Sequence, residues 1–264
     1  NPLGEGGSYR SLRDAARPFF LWVHYSDPHA PYRFRAPFNP ARKTPQEVPN
    51  PARTRIKYDS EIAYTDHWIG RLLAELPLEN TVILFVADHG ESLYEHDYLG
   101  HGRRIYQTNQ QVPLFIRRPG VPGSRTRAPA CALDVGPTLL ALAGVEAAPG
   151  MLGRNLLAGG PLLDRVRHME TYGGAVPHIP GAKMLMAGRP PMRRGVVRDG
   201  WKLILGGGEP ELFYLPEDPL ETRSRAAEEP ERCAELTELI EQWGRDHPRR
   251  GEVKEVRLSN DDYD

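Results

Sequence analysis

The densest group of chemically active side chains lies in residues 85–102, FVADHGESLYEHDYLGHG. Four acids and three histidines occur there: Asp88, Glu91, Glu95, Asp97, His89, His96 and His101. A carboxylate beside an imidazole can bind a divalent metal ion, so Asp88 and His89 form a candidate ligand pair. Residues 101–104 (HGRR) follow, and their cationic or donor groups suit a tetrahedral anion.

Two apolar runs lead into this chemistry. Residues 81–87 (TVILFVA) are apolar on both faces, which is typical of a central parallel strand and places Asp88 and His89 at its end. Residues 18–25 (PFFLWVHY) predict a buried strand that runs towards His29. Ligands in open α/β sheets bind beyond the carboxyl ends of strands, so we expect these groups to reach one cleft. Gly90 is expected to permit the sharp exit from the second strand.

The remaining pattern is α/β, with a mostly parallel central sheet flanked by helices in residues 1–160. It predicts a helix over 55–76, an edge strand over 112–116 and a short helix over 137–143. The face of the first helix is predicted from Ile62, Ile69, Leu72, Leu73 and Leu76.

A small antiparallel β subdomain with a closing helix is predicted for residues 161–250, and a polar tail for 251–264. Its hairpin comprises residues 195–205 with a turn at Asp199-Gly200, followed by a strand at 211–215. The closing helix begins at Pro230.

Composition excludes several classes of partner. The 264 residues carry 34 Lys and Arg against 35 Asp and Glu, and this balance gives no drive towards nucleic acid. No apolar run is long enough to span a membrane. Cys131 and Cys233 fit neither a zinc motif nor a disulfide framework. The oligomeric state is not predicted.

Each candidate group also has a plainer interpretation when it is taken alone. An Asp-His pair after a strand is more often a turn and a helix cap. His29, next to a proline, can be an ordinary loop histidine, and Arg103 and Arg104 can be surface arginines. His24, inside the predicted strand, is expected to be a packed core histidine. The combination of motifs decides between these interpretations.

Six segments occur in an order that resembles the sulfatase family of the alkaline-phosphatase superfamily. They are HYSDPHAPY (24–32), FVADHGESLYEH (85–96), LGHGRRIYQTNQQVPLFIRRPG (99–120), LDVGPTLLALAGV (133–145), VVRDGWKLIL (196–205) and ELFYLPEDPLETRSRAAEEP (211–230). The last two look like the sulfatase C-terminal subdomain. The resemblance implies a metal-dependent hydrolysis of a sulfate ester.

The resemblance also implies roles for individual residues. Asp88 and His89 match the pair that helps to bind one divalent ion, usually Ca²⁺. His29 matches a histidine that contacts the sulfate, and His101 is expected where the family places a Lys or His against it. Arg103 is the alternative candidate for this contact with the sulfate. A formylglycine hydrate would attack sulfur, while the metal and cations stabilise the sulfate oxygens and a histidine assists proton transfer.

The chain departs from the family at the nucleophile. It contains no Cys/Ser-x-Pro-x-Arg motif from which formylglycine is made, and residues 26–30 (SDPHA) lack the arginine. The paired aspartates of the family's metal site are also absent. Both elements lie upstream in the family, so we expect this chain to be the later part of a sulfatase, and to be inactive and poorly soluble alone.

The whole protein is then expected to act on a small-molecule or saccharide sulfate ester, and the family resemblance implies export to the periplasm or beyond the cell. Two alternatives remain open. One is a phosphodiesterase or phosphonate monoester hydrolase of the same superfamily. The other is a non-catalytic remnant that binds an anion without converting it.

Overall fold

A computed structural model describes residues 18–41, 43–159, 165–173 and 191–248, which form two compact units. The first unit takes in the described residues up to Val86, with Ser92–Gly100 and Pro113–Arg125. The second takes in Ala87–Glu91, His101–Val112 and the described residues from Thr126 onwards. The predicted polar tail lies outside the described residues. None of the described helices is long and apolar enough to cross a membrane.

The first unit contains one long helix and two small antiparallel sheets. The helix α1 spans Ala52–Ala74, and short 3-10 turns occur at Ala36–Phe38, Pro45–Glu47 and Glu95–Asp97. Strand β1 (Ile83–Val86) pairs with the later strand Leu114–Arg117, and β2 (Ser92–Leu93) pairs with β3 (Leu99–Gly100). The strand at Leu114–Arg117 is β4.

The buried face of α1 agrees with the prediction at Leu72, which is 6% exposed, and differs from it earlier in the helix. Ile62 is 45% exposed, whereas Ser60 and Glu61 are fully buried. Arg35 explains this reversal, because its backbone N–H donates to the Ser60 hydroxyl at 3.0 Å and its guanidinium lies 3.7 Å from the Glu61 carboxylate. Apolar spacing therefore identified the helix and its buried Leu72, but not the polar residues that pack earlier in the helix.

Within the described part of the chain, the predicted parallel central sheet is not shown and one strand prediction is wrong. β1 pairs antiparallel with β4, and the described residues contain no parallel strand pair. Residues 18–25 have no regular secondary structure, with Phe20 and Trp22 about four-fifths exposed and His24 exposed rather than packed. Apolar, β-prone residues indicate a strand only where a neighbouring strand supplies hydrogen bonds, and none pairs with this segment here.

The second unit is built on a four-stranded antiparallel sheet. Its strands are β5 (Arg167–Thr171), β6 (Arg193–Arg198), β7 (Trp201–Leu205) and β8 (Glu211–Tyr214), paired in that order. The predicted hairpin is confirmed, and Asp199 and Gly200 both have positive φ, as a type I′ turn requires. β5 (RHMET) was not predicted, because its polar sequence has no strand-like alternation.

Three helices complete the second unit: α2 (Gln107–Gln110), α3 (Val135–Leu142) and α4 (Pro230–Asp246). Gly144, with a φ of 70°, follows α3. The predicted start of α4 at Pro230 is confirmed, and its Leu236 and Ile240 pack on the sheet residues Val196, Leu203 and Leu212. This cluster is the apolar core of the unit.

A buried ion pair joins α2 to the sheet. The ammonium of Lys202 lies 2.6 Å from the carboxylate of Glu221, and both side chains are at most 1% exposed. Glu221 also accepts the backbone N–H of Gln107 at 2.5 Å, and Lys202 donates to the Gln107 side chain at 3.3 Å. Burial lowers the pKa of Lys202, although the adjacent Glu221 carboxylate opposes this shift.

Replacing Lys202 by Met is expected to destabilise the protein by about 3–5 kcal/mol, because it leaves the Glu221 carboxylate buried without its cation. The double variant Lys202→Met/Glu221→Met should recover part of this loss, since it removes the uncompensated charge. Chemical denaturation of the full-length protein measures both. A double variant as unstable as the sum of its single variants would contradict the buried pair.

Candidate functional site

The position of Asp88 and His89 is set by the close approach of Gly90 to α2. The backbone N–H of Gly90 donates to the carbonyl of Asn109 at 2.9 Å. A Cβ atom on Gly90 would lie 2.1 Å from the carbonyl oxygen of Thr108, closer than any side chain tolerates. Gly90 does not have a positive φ. A glycine is therefore needed at this position because the chain passes close to α2. It is not needed for a left-handed turn, which the predicted sharp exit from the strand would suggest.

Asp88 and His89 present two donor atoms side by side. The Nδ1 of His89 lies 2.8 Å from its neighbour Gly90's carbonyl oxygen, to which it donates, so Nε2 carries the lone pair. This Nε2 lies 3.7 Å from Oδ2 of Asp88, whose side chain is 76% exposed. Two ligands each about 2.3 Å from one ion are separated by roughly 3–4.5 Å, so the pair fits a shared cation.

The pair supplies only part of a calcium site. Ca²⁺ takes about six to eight oxygen ligands. Within the described ranges, no group of three or more His, Cys, Asp or Glu side chains is arranged to hold a metal ion. Further ligands would come from backbone carbonyls, water, amide or hydroxyl side chains, or residues outside these ranges.

His101 is oriented by a buried carboxylate and by His89. Its Nδ1 lies 3.1 and 3.3 Å from the two carboxylate oxygens of Glu91, whose side chain is 4% exposed. The rings of His89 and His101 have centroids 4.0 Å apart with a 30° tilt. Glu91 was one of the acids in the starting stretch, but its role as the partner of His101 depends on a contact ten residues apart that the sequence does not reveal.

A pocket of about 150 Å³ opens beside these histidines. Its lining comprises His89, His101, Gly102, Arg104, Ile105, Asn109, Gln110, Glu170 and Thr171. The hydroxyl of Thr171 in β5 donates to the carbonyl of Gly102 at 2.5 Å, which ties the unpredicted strand to the pocket wall. Whole-ligand pockets measure about 300–1,000 Å³, so this one suits a small anion or one end of a larger ligand.

The sequence-predicted site residues divide into three groups. Asp88, His89 and His101 lie together in the second unit. Arg103 is exposed and does not line the pocket, whereas Arg104 does. His29 belongs to the first unit, where it is exposed and its Nδ1 lies 2.7 Å from the carbonyl of Ala30. The roles of His29 and Arg103 remain predictions.

Comparison with known proteins identifies the family. The Sulfatase family matches residues 9–145, which is more than half of the chain. The chain belongs to the sulfatase family. Among curated relatives, arylsulfatase K of Danio rerio is 32% identical over 208 residues, which cover 75% of this chain and 38% of that protein.

Solved structures share the fold at lower identity. A protein solved in complex with its substrate D-glucosamine-2-N,6-O-disulfate has a TM-score of 0.57 at 24% identity, covering 77% of this chain and 43% of its own. The phosphonate monoester hydrolase of Agrobacterium radiobacter has a TM-score of 0.60 at 23% identity, covering 75% and 42%. The chain spans about two fifths of the length of these three proteins.

Gly90→Ala is expected to lower both stability and the activity of the full-length protein, because the added methyl must displace the Thr108 carbonyl. Overpacking of this kind costs about 1–3 kcal/mol. Gly70→Ala is the matched control, since nothing lies within 4 Å of its Cβ position in α1 and alanine favours helix by up to about 1 kcal/mol. Thermal melting and turnover of both variants test this. If Gly90→Ala matches wild type, the close contact is not needed.

Proposed function

We propose that this chain is the part of a sulfatase that binds the sulfate group and one divalent cation, Ca²⁺. The observation that supports this most directly is that His89 and His101 line one pocket, with Asp88 beside His89, in a chain of the sulfatase family. The reaction is hydrolysis of a sulfate ester, with a formylglycine nucleophile contributed by the sequence upstream of this chain.

Each side chain then has a distinct task. Asp88 and His89 would hold the cation, and Oδ2 and Nε2 are their nearest pair of donor atoms. When it is bound, the cation supplies positive charge that polarises the sulfate oxygens. His101, oriented by Glu91, donates a hydrogen bond to the sulfate and assists proton transfer to the departing alcohol. His29 is proposed as a second sulfate contact, following its family position.

The substrate proposed is a small-molecule or saccharide sulfate ester. A pocket of about 150 Å³ has room for the sulfate end, and the alcohol extends beyond it. A saccharide is supported by the fold neighbour that was solved with a sulfated glucosamine as its substrate.

A second candidate is a phosphonate monoester hydrolase or phosphodiesterase. Similarity to the phosphonate monoester hydrolase of Agrobacterium radiobacter favours it, and so does the tetrahedral shape that sulfate shares with phosphoryl groups. The same donors would hold either anion.

Turnover by the full-length protein separates these candidates. We expect the kcat/KM for an aryl sulfate to exceed that for the matching aryl phosphonate monoester and for a bis-aryl phosphodiester, because the chain belongs to the sulfatase family. The reverse order would establish the second candidate. Absence of all turnover, in protein whose upstream sequence lacks the formylglycine motif, would favour a binding remnant.

Calcium affinity tests the metal assignment separately. Asp88→Asn in the full-length protein is expected to weaken Ca²⁺ binding at least about tenfold, since it removes a charged ligand and even outer groups around metals contribute about 10–100-fold. Asp97→Asn, an exposed acid of the same stretch, is the matched control and should bind Ca²⁺ as wild type does. Calorimetric titration of both gives the answer. Equal affinities in wild type and Asp88→Asn would remove Asp88 from the site.

A further inference from the structure

Arg104 is a cation of the pocket that the fold does not neutralise. Two other arginines of the second unit form ion pairs: Arg165 lies 2.5 Å from Asp134, and Arg193 lies 3.2 Å from Glu211. Arg104 makes no ion pair with any residue that the structure describes. The half-buried guanidinium in the pocket wall is therefore available to bind an anion that enters the pocket.

Two acids in this region, Glu211 and Glu170, have hydrogen-bond partners other than Arg104. Glu211 accepts the hydroxyl of Tyr106 at 2.5 Å as well as pairing with Arg193. Burial raises the pKa of Tyr106 to about 12, and the Glu211 hydrogen bond adds to this while the charge of Arg104 opposes it. Glu170, the carboxylate in the pocket lining, accepts a hydrogen bond from the hydroxyl of Tyr172.

The backbone on either side of Arg104 is fixed in place. Ile105 and Tyr106, which follow it, are only 1% and 4% exposed and belong to an apolar cluster with Ile204 and Phe213. Gly102, two residues before it, is held by the Thr171 hydroxyl. Arg103 sits between these anchors but is exposed to solvent. One arginine of the pair is therefore directed to the pocket and the other to water.

We propose that Arg104, and not Arg103, binds the tetrahedral anion together with His101. This deepens the proposed function, on which it rests, by naming a sulfate-binding residue. A guanidinium presents paired N–H donors in a planar fork that can hold two oxygens of one anion, and it stays charged at every physiological pH. His101 contributes one hydrogen-bond donor, and Arg104 adds a guanidinium with its full positive charge.

This assignment is independent of the chemistry at the central atom. A guanidinium fork fits the oxygens of sulfate and of a phosphoryl group alike, so Arg104 contributes affinity for either anion and little discrimination between them. Loss of Arg104 is therefore expected to weaken the binding of inorganic sulfate and inorganic phosphate by similar factors.

The test compares Arg104→Gln, Arg104→Lys and the matched control Arg103→Gln in the full-length protein. Binding of inorganic sulfate is measured by calorimetry, together with kcat/KM for an aryl sulfate. Charge-assisted hydrogen bonds support an expected loss of roughly 10–100-fold in sulfate affinity for Arg104→Gln. Arg104→Lys keeps the charge without the fork and should fall in between, and Arg103→Gln should change affinity less than about twofold.

Two results would overturn the proposal: wild-type sulfate affinity in Arg104→Gln, or an equal loss in Arg103→Gln. If Arg104→Gln fails to fold, as judged by circular dichroism, Arg104→Lys decides, because wild-type affinity in that variant removes the need for a fork. Failure of the proposed function has a different signature, since the wild-type protein would then bind sulfate through Arg104 but hydrolyse no sulfate ester.

Discussion

The buried carboxylate of Glu221 is the constraint on which the second unit depends. It forms an ion pair with the ammonium of Lys202 and accepts a hydrogen bond from the backbone N–H of Gln107. These two contacts fix α2 to the sheet at a buried position. α2 in turn accepts the N–H of Gly90 through Asn109, directly beside His89. A buried charge is costly to leave unpaired. The contacts that pair the Glu221 carboxylate therefore also hold α2 in place beside the histidine pocket.

The parts of the fold that the sequence predicts well are those decided locally. Asp199-Gly200 between alternating apolar residues specifies its hairpin, because both residues tolerate positive φ. Pro230 begins α4 for an equally local reason, since its fixed φ and missing N–H suit a first helical turn. The grouping of Asp88, His89 and His101 was also foreseeable, because they flank one strand end within fourteen residues of sequence.

The parts that the sequence does not predict depend on distant partners. The apolar run before Ala87 indicates a strand but not its direction, and β4 pairs with it antiparallel. β5 has a polar sequence and becomes a strand through its register with β6. The same limit applies to the site. Arg103 and Arg104 are chemically identical neighbours, and only the burial of the following Ile105 and the Thr171 contact show which of them lines the pocket.

We propose that a cation site at Asp88 and His89 adjoins an anion site at His101, because His89 and His101 line one pocket and Asp88 lies beside His89. A crystal structure of the full-length protein grown with Ca²⁺ and inorganic sulfate tests it most directly. The account predicts an ion about 2.3–2.6 Å from the Asp88 carboxylate and coordinated by His89, with a sulfate in hydrogen-bond contact with His101. A cation bound elsewhere, with Asp88 and His89 facing only solvent, would contradict the account.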